Sequence, residues 1–296
     1  MNTNVSKVLI FGFSGQLATA LRKRFDREAQ PATFLSRAEA DLLRPESIEQ
    51  VLNHYKPKLI INAAAYTSVD LAEKEQAHAR LVNVGSVGVM ARWAARHDAH
   101  LIHFSTDYVF DGSAVRPYVE DDEKNPINFY GLTKSDGEDQ ILESNCSHQI
   151  LRVSWVYSPW GNNFVKTMLR LGKEREEVKV VTDQIGCPTS AEDIAEVVMQ
   201  MANHPEKSGI FHYSGRGEAS WYDFANEIFQ QAKAQGFSLK VKSLVPISTE
   251  EYPSVVKRSL NSRLNCQKFQ ANFGLDLHPW TQSLEKTIHQ LKKEHS

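Results

Sequence analysis

Short runs of apolar residues recur through the first half of the chain, most of them followed by a stretch with helical spacing. Lys7-Val8-Leu9-Ile10-Phe11-Gly12 reads as a buried strand, after which Leu17, Leu21 and Phe25 fall on one helix face. Ala32 to Ser36 is a second strand, and Pro45-Glu46-Ser47 opens a helix, where proline is well placed. Lys58-Leu59-Ile60-Ile61-Asn62 is a third strand, leading through Ala63-Ala64-Ala65-Tyr66 into a long helical region from about Ala72 to His97. A fourth strand runs from Leu101 to Ser105 and Thr106. A non-proline stretch from Tyr130 to Leu142 reads as helix, and Gln149 to Trp155 as a fifth strand. This alternation is that of an α/β protein with a doubly wound parallel sheet.

The second half changes character. Asn163 to Lys173 is an amphipathic helix, Val178 to Val181 a short strand, and Ala191 to Asn203 a helix that returns to the first unit. Gly209 to Gly215 is again strand-like, and Ser220-Trp221-Tyr222-Asp223 caps a helix running to Gly236. The expected division is a dinucleotide-binding domain over 1–156, with a returning segment at about 184–204. A smaller mixed α/β substrate domain over 157–183 and 205–296 forms a cleft against the sheet.

With 296 residues the chain is long enough for one large or two modest domains. A net charge of -2 lacks the basic excess of a nucleic-acid binder. Met1 to Val5 leads straight into a strand without the pattern of a secretion signal, and no window approaches a membrane span, so no membrane partner is expected. Cys146, Cys187 and Cys266 are too few and too far apart for a disulfide framework or a zinc cluster, which fits a reducing cytoplasm.

Two stretches carry candidate chemistry. Gly12-Phe13-Ser14-Gly15-Gln16-Leu17 lies between a strand and a helix, where glycines let the backbone approach a pyrophosphate and free helix N–H groups favour its charge. Alanine at 18 replaces the usual third glycine, and a tight β-α connection accounts equally for a lone glycine turn. No acid ends the second strand. Ser36-Arg37 there suits the 2′-phosphate of NADPH, with NADH left open, and Asp41-Leu42 is placed for the adenine. The small residues Ala63, Ala64 and Ala65, with Tyr66, let a cofactor lie against the backbone, although close helix packing also uses alanine runs.

The second stretch is Phe104-Ser105-Thr106-Asp107-Tyr108-Val109-Phe110 with Tyr130-Gly131-Leu132-Thr133-Lys134. On a helix, Tyr130 and Lys134 sit one turn apart on one face. A free phenol titrates near pH 10, and a neighbouring ammonium lowers it, so Tyr130 is expected to exchange a proton near neutrality. Thr106, at a strand's carboxyl end, is placed to hold a carbonyl oxygen. Such a tyrosine and lysine pair also occurs on exposed helices by chance. Trp155 is placed to pack on a base or sugar, and Arg263, near Arg258, to meet a phosphate, the bland reading of both arginines being surface pairing. The acidic run Glu120-Asp121-Asp122-Glu123 reads as a solvated charge cluster on a surface loop, since four consecutive acids cannot all face one ion.

Together these stretches resemble the extended short-chain dehydrogenase/reductases, and within them the dTDP-4-dehydrorhamnose reductases. The resemblance rests on Asn62 to Asp70, Phe104 to Gly112, Tyr130 to Lys134 with Gly137-Glu138, Arg152 to Tyr157, Asp183 to Thr189, Ser220 to Tyr222 and Asn261 to Leu264. It implies a Rossmann domain and reduction of the 4-keto group of a dTDP-sugar by NADPH. Thr106, Tyr130 and Lys134 would be catalytic, and Asp107, Tyr108 and Trp155 would lie beside a nucleotide-sugar substrate. The first-helix glutamate that bridges a magnesium-linked dimer in some relatives corresponds to Ala20, so no metal is expected there and a homodimer would need another basis. Ser259 stands where many relatives have proline. Two rivals remain open at this stage: a binding protein like the regulatory subunit of methionine adenosyltransferase, and another nucleotide-sugar reductase or epimerase.

Overall fold

The structure is a computed structural model that describes residues 7–253 and 256–294; the expected start at Met1 to Val5 lies outside them. The sheet strands and their connections are β1 (Val8–Phe11), α1 (Gln16–Arg27), β2 (Thr33–Leu35), α2 (Pro45–Tyr55), β3 (Leu59–Asn62), α3 (Val69–Ala72), α4 (Gln76–Arg80), α5 (Ser86–His97), β4 (His100–Thr106), α6 (Phe129–Ser144) and β5 (Ser147–Val153). Then follow β6 (Val156–Tyr157), α7 (Phe164–Glu174), β7 (Glu177–Val181), β8 (Ile185–Gly186), β9 (Thr189–Ser190), α8 (Ala191–Ala202), β10 (Gly209–Tyr213), β11 (Ala219–Ser220), α9 (Trp221–Ala234), β12 (Ser243–Ile247), α10 (Gln267–Phe273) and α11 (Trp280–Glu294).

Six strands form one parallel sheet in the order β10-β5-β4-β3-β1-β2. Alternate residues of these strands feed two cores. Leu9, Phe11, Ile60, Leu101 and Ile150 meet α2, α5 and Ile141 of α6, while Ile10, Ile61, Ile102, Leu151 and Phe211 meet α1 and α8. A sheet covered on both faces explains why its strands read as continuous apolar runs rather than as alternation. From β1 the chain goes first to β2 on one side and then to β3 on the other, which places a ligand-binding crevice at the carboxyl ends of β1 and β3. Among the described residues no helix is long and apolar enough to cross a membrane.

Four expectations are corrected. Gly209 to Tyr213, assigned by sequence to the substrate domain, is β10 and pairs in parallel with β5 as the edge strand of the main sheet. Its alternation of Phe211 and Tyr213 serves the sheet core. The fifth strand stops at Val153; Trp155 lies beyond it with φ 48°, a left-handed turn that swings the ring away from the strand line. The single helical region from Ala72 is broken after α3, and α4 passes into α5 through one π-helical turn, Leu81–Gly85. The acidic run is not wholly solvated: Glu120 is buried and accepts the backbone N–H of His212 at 2.9 Å.

A second body of elements packs around its own core of Val165, Met168, Val178, Phe224, Ile228, Leu284 and Ile288, drawn from α7, β7, α9 and α11. Ser220 and Asp223 form a reciprocal capping box that starts α9, as the sequence leads one to expect. Strand β12 lies parallel to β7 and goes unmarked in the sequence because Pro246 interrupts it; at an edge its missing N–H is tolerated.

Helix α6 is joined to the sheet by an ion pair. Arg152 of β5 donates from Nε and Nη2 to the two carboxylate oxygens of Glu138 at 2.8 and 2.7 Å, and both side chains are buried. Removing one partner of such a pair strands a charge in a low-dielectric interior. Glu138→Gln is expected to cost about 3–5 kcal/mol in urea denaturation, and a loss under about 1 kcal/mol would show that the pair is not what fixes α6.

Candidate active site

Gly12 ends β1 at φ +117°, and an added Cβ would stand 3.2 Å from the Ala63 carbonyl oxygen. The two strand ends at the crevice therefore touch, and glycine is required by both the dihedral and the space. Over Gly15, by contrast, nothing lies within 4 Å of the same position. No side chain caps α1, so its first N–H groups face open space with the helix dipole behind them. This cradle fits a pyrophosphate. Phe13, Ser14 and Gly15 are exposed, whereas Leu17 packs into the core and Gln16 is committed elsewhere, its Oε1 accepting from Ser158 and Asn163 at 2.9 Å each.

The ribose end differs from expectation. Glu39 folds back so that its carboxylate accepts both the backbone N–H and the hydroxyl of Ser36, at 2.8 and 2.6 Å. An acid does stand near the end of β2, and Ser36 presents no free hydroxyl. Arg37 is largely exposed, 3.5 Å from Asp41, while Leu42 is buried in the core. Ala63, Ala64, Ala65 and Tyr66 line the loop after β3. Asn83, in the π-helical turn, clamps that loop by accepting from the Tyr66 N–H at 2.9 Å and donating to its carbonyl at 3.1 Å and to Thr133 at 3.0 Å. No motif in the sequence marks Asn83, because its partners Tyr66 and Thr133 lie on other elements.

Helix α6 begins at Asn128, whose side chain caps the N–H of Gly131 at 2.8 Å. A Cβ on residue 131 would lie 2.2 Å from the Tyr108 carbonyl oxygen, and one on residue 137 would lie 2.3 Å from that of Asn83. These two glycines let the helix lie directly on the turn that follows β4 and on the π-helical turn. Tyr130 is thereby brought beside Thr106, whose hydroxyl acts on the phenol, with the Tyr108 ring edge-on at 5.6 Å. Thr106 also donates to Asp107 at 3.0 Å and accepts from the Tyr108 N–H at 3.2 Å. Thr106, Asp107, Tyr130 and Lys134 are buried, and Tyr108 is half-buried.

Lys134 does not point its charge at the phenol. Its Nζ donates to the Phe104 carbonyl at 2.7 Å and lies 3.1 Å from His103 Nε2, while His103 Nδ1 meets Asn62 Nδ2 at 3.1 Å. Burial pushes Lys134 down to about 8, with Glu138 opposing. The expected lowering of Tyr130 is corrected: burial first, then Asp107, holds the phenol well above its ordinary range. Tyr130 therefore keeps its proton across neutral pH. Tyr108 is pushed up to about 12 by burial and Asp107, against the pull of Arg258.

Trp155 stacks on Trp221 at 3.5 Å with Gly186 beneath it, forming a flat aromatic wall. Arg258 and Arg263 part company. Arg258 donates to Asp70 and acts on Tyr108. Arg263 is spent within the protein, on Asn261 at 2.8 Å, Glu218 at 2.9 Å and the Val115 carbonyl at 2.7 Å. The structure thus groups Thr106, Asp107, Tyr108, Tyr130 and Lys134, and commits the Arg263 guanidinium to Asn261, Glu218 and Val115.

Burial raises the Asp107 carboxyl to about 6 from 3.8, against hydrogen bonds from Ser262 and Thr106. Between those two values the folded chain holds a proton that the unfolded chain has lost, so stability falls as pH rises through this window and then levels. Asp107→Asn, whose amide oxygen still accepts from Thr106, is expected to stabilise the fold by about 2–3 kcal/mol near pH 8. Urea titrations should show that gain shrinking as pH approaches about 4; a gain independent of pH would contradict the assignment.

Comparison with known proteins identifies the family. The family model described as the RmlD substrate binding domain matches residues 6–293. The chain is 39% identical over 291 residues to dTDP-4-dehydrorhamnose reductase of Escherichia coli K12, covering 96% of this chain and 97% of the relative. It is 42% identical to the protein of that name from Sinorhizobium fredii, covering 95% and 96%. The crystal structure of dTDP-4-dehydrorhamnose reductase from Bacillus anthracis in complex with NADP superposes with a TM-score of 0.89 at 36% identity, covering 96% of this chain and 98% of that one. The chain therefore belongs to the RmlD family, that of the dTDP-4-dehydrorhamnose reductases.

Proposed function

We propose that this protein reduces the 4-keto group of dTDP-4-dehydro-β-L-rhamnose, with NADPH as hydride source and Tyr130 as proton donor. The observation that carries this reading is the convergence of the Thr106 hydroxyl and a protonated, buried Tyr130 at the carboxyl edge of β4, beside the crevice between β1 and β3. The relatives supply the substrate: proteins 39% and 42% identical over nearly their whole length carry the name dTDP-4-dehydrorhamnose reductase. The NADP held by the Bacillus anthracis protein favours the same cofactor here.

The Gly12 to Gly15 turn and the start of α1 would hold the pyrophosphate, Arg37 the 2′-phosphate, and the Ala63 to Tyr66 loop and Lys134 the nicotinamide end. When bound, the cofactor supplies a hydride to C4 of the sugar. Thr106 orients the C4 oxygen, and Tyr130 delivers the proton that turns the developing alkoxide into an alcohol. A phenol that has kept its proton is the form this direction requires. Burial excludes water, so the hydroxyls at positions 106 and 130 act on the oxygen without competing solvent. Asp107, Tyr108 and the Trp155 wall would flank the sugar nucleotide.

Addition of the 4-keto dTDP-sugar should oxidise NADPH stoichiometrically, a result that an epimerase with retained NAD or a non-catalytic binding protein would not give. Tyr130→Phe is expected to lower kcat by roughly 10²- to 10⁴-fold with cofactor affinity kept; near-normal turnover would remove Tyr130 from the role. Arg37→Ala should raise the KM for NADPH roughly ten- to a hundredfold and leave that for NADH unchanged. Equal effects on both cofactors would show that Arg37 does not meet the 2′-phosphate.

A further inference from the structure

The loop between β6 and α7, Ser158 to Asn163, lies against the first turn of α1. Gln16 is the first residue of α1 and follows the Gly12 to Gly15 turn, so its backbone N–H belongs to the free set at the cradle. Its side chain engages the other body. Asn163 Nδ2 donates to Gln16 Oε1 at 2.9 Å and to the Ser158 carbonyl at 2.8 Å, and Ser158 Oγ lies 2.9 Å from the same Gln16 oxygen. The backbone fixes which atom each amide presents. Asn163 Oδ1 accepts the N–H of Lys166 at 3.1 Å as the N-cap of α7, and a main-chain N–H only donates. Nδ2 therefore faces Gln16, and Gln16 answers with its oxygen. Helix α1 grips the loop twice more. Lys23 stands 5.3 Å over the Trp160 ring, and at Gly161, with φ +64°, an added Cβ would come within 3.1 Å of Gln16 Cγ.

On the far side of Asn163 the contacts run to the aromatic wall. The next residue, Phe164, lies 4.5 Å from Trp221, which stacks on Trp155 at 3.5 Å. Val165, Met168 and Leu169 of the same helix enter the second core. Two residues, 16 and 163, thus separate the pyrophosphate turn from the helix that backs the wall. Asn163 does two jobs, capping α7 and reaching α1, and the cap is made by Oδ1 alone. The bond to Gln16 is therefore an addition to what α7 needs in order to form.

We infer that Gln16 is a positioning residue that ties the cofactor turn to the substrate wall, so that NADP on the one favours the nucleotide on the other. This rests on the reading of the Gly12 to Gly15 turn as the pyrophosphate cradle. A pyrophosphate held by the N–H groups at the start of α1 immobilises residue 16. The side-chain oxygen of that residue, met by both Asn163 and Ser158, passes the restraint to the loop and to the first turn of α7. By reciprocity, a nucleotide seated against Trp155 and Trp221 tightens the cofactor by the same factor. One neutral hydrogen bond corresponds to a factor of about two to ten, which sets the size of the effect.

The test uses the full-length chain, with NADP and dTDP as probes. Calorimetry should show dTDP binding about two- to tenfold more tightly to the NADP-saturated protein than to the free one. NADP alone should slow hydrogen exchange at the amides of Lys166 and Thr167, whose acceptors both belong to Asn163. Gln16→Met keeps the length of the side chain and removes the acceptor, while Asn163 retains its cap and the Ser158 carbonyl. Asn163→Ser keeps a good cap and removes the donor. Each should bring the affinity ratio to about one and abolish the NADP-dependent slowing, and the double variant should go no further. Gln16→Glu, whose carboxylate still accepts from Asn163 and Ser158, should keep the slowing at NADP saturation while binding NADP more weakly. Equal slowing in Gln16→Met and the unaltered protein, or none in the unaltered protein, overturns the inference. The same titrations separate the two readings: absence of NADP binding sinks the cradle and the tie together, whereas binding without an effect on α7 sinks the tie alone.

Discussion

The contact on which the site depends is the approach of helix α6 to the turn after β4 and to the π-helical turn, backbone against backbone, with hydrogen atoms where side chains would be. Gly131 rests on the Tyr108 carbonyl and Gly137 on that of Asn83. Any larger residue would push the helix outward and carry Tyr130 and Lys134 away from Thr106 and Phe104 together, because one rigid turn holds both. The reacting groups are thus placed by a packing distance more than by their own hydrogen bonds.

That closeness has an electrostatic cost. Alpha-helices of soluble proteins normally turn an apolar stripe inward, but α6 buries Thr133, Lys134, Ser135 and Glu138 alongside Tyr130 and Ile141. Each buried polar group then needs a partner within reach. Arg152 answers Glu138, its guanidinium lies over Phe110 at 5.0 Å, and Asn83 answers Thr133. The supporting residues come from β3, β4, β5 and the π-helical turn, so the sheet interior beneath the site is a polar framework and the apolar packing lies around it.

How much of this the sequence revealed depends on the kind of interaction. Strands buried on two faces announce themselves as apolar runs, and β1 to β4 fall where those runs do. The turn between β1 and α1 was legible because Gly12 and Gly15 stand between an apolar run and a helical pattern. The grouping of Thr106 with Tyr130 was legible through spacing and family likeness. What stayed hidden depends on three-dimensional neighbours. Glu39 reaches back to Ser36 through a turn, Arg263 spends its guanidinium on Glu218 and Val115, and the sign of the shift at Tyr130 follows from burial, which spacing does not report. His103 and Asn62 looked like ordinary strand residues because their partners lie on different elements. Strand β10 was misplaced for a related reason: its neighbour in the sheet, β5, precedes it by two helices and several short strands.

That late pairing bears on synthesis. As the chain leaves the ribosome, β5 emerges with one side bonded to β4 and the other side bare, and it remains so while α7, β7 and α8 are made. An uncovered parallel strand is a template for any extended segment nearby. Helix α8, which packs on α1 and the same apolar face, arrives just ahead of β10. The nascent sheet is therefore roofed on one face before its edge is closed, and the order of elements along the chain sets the interval during which a growing polypeptide exposes its most adhesive edge.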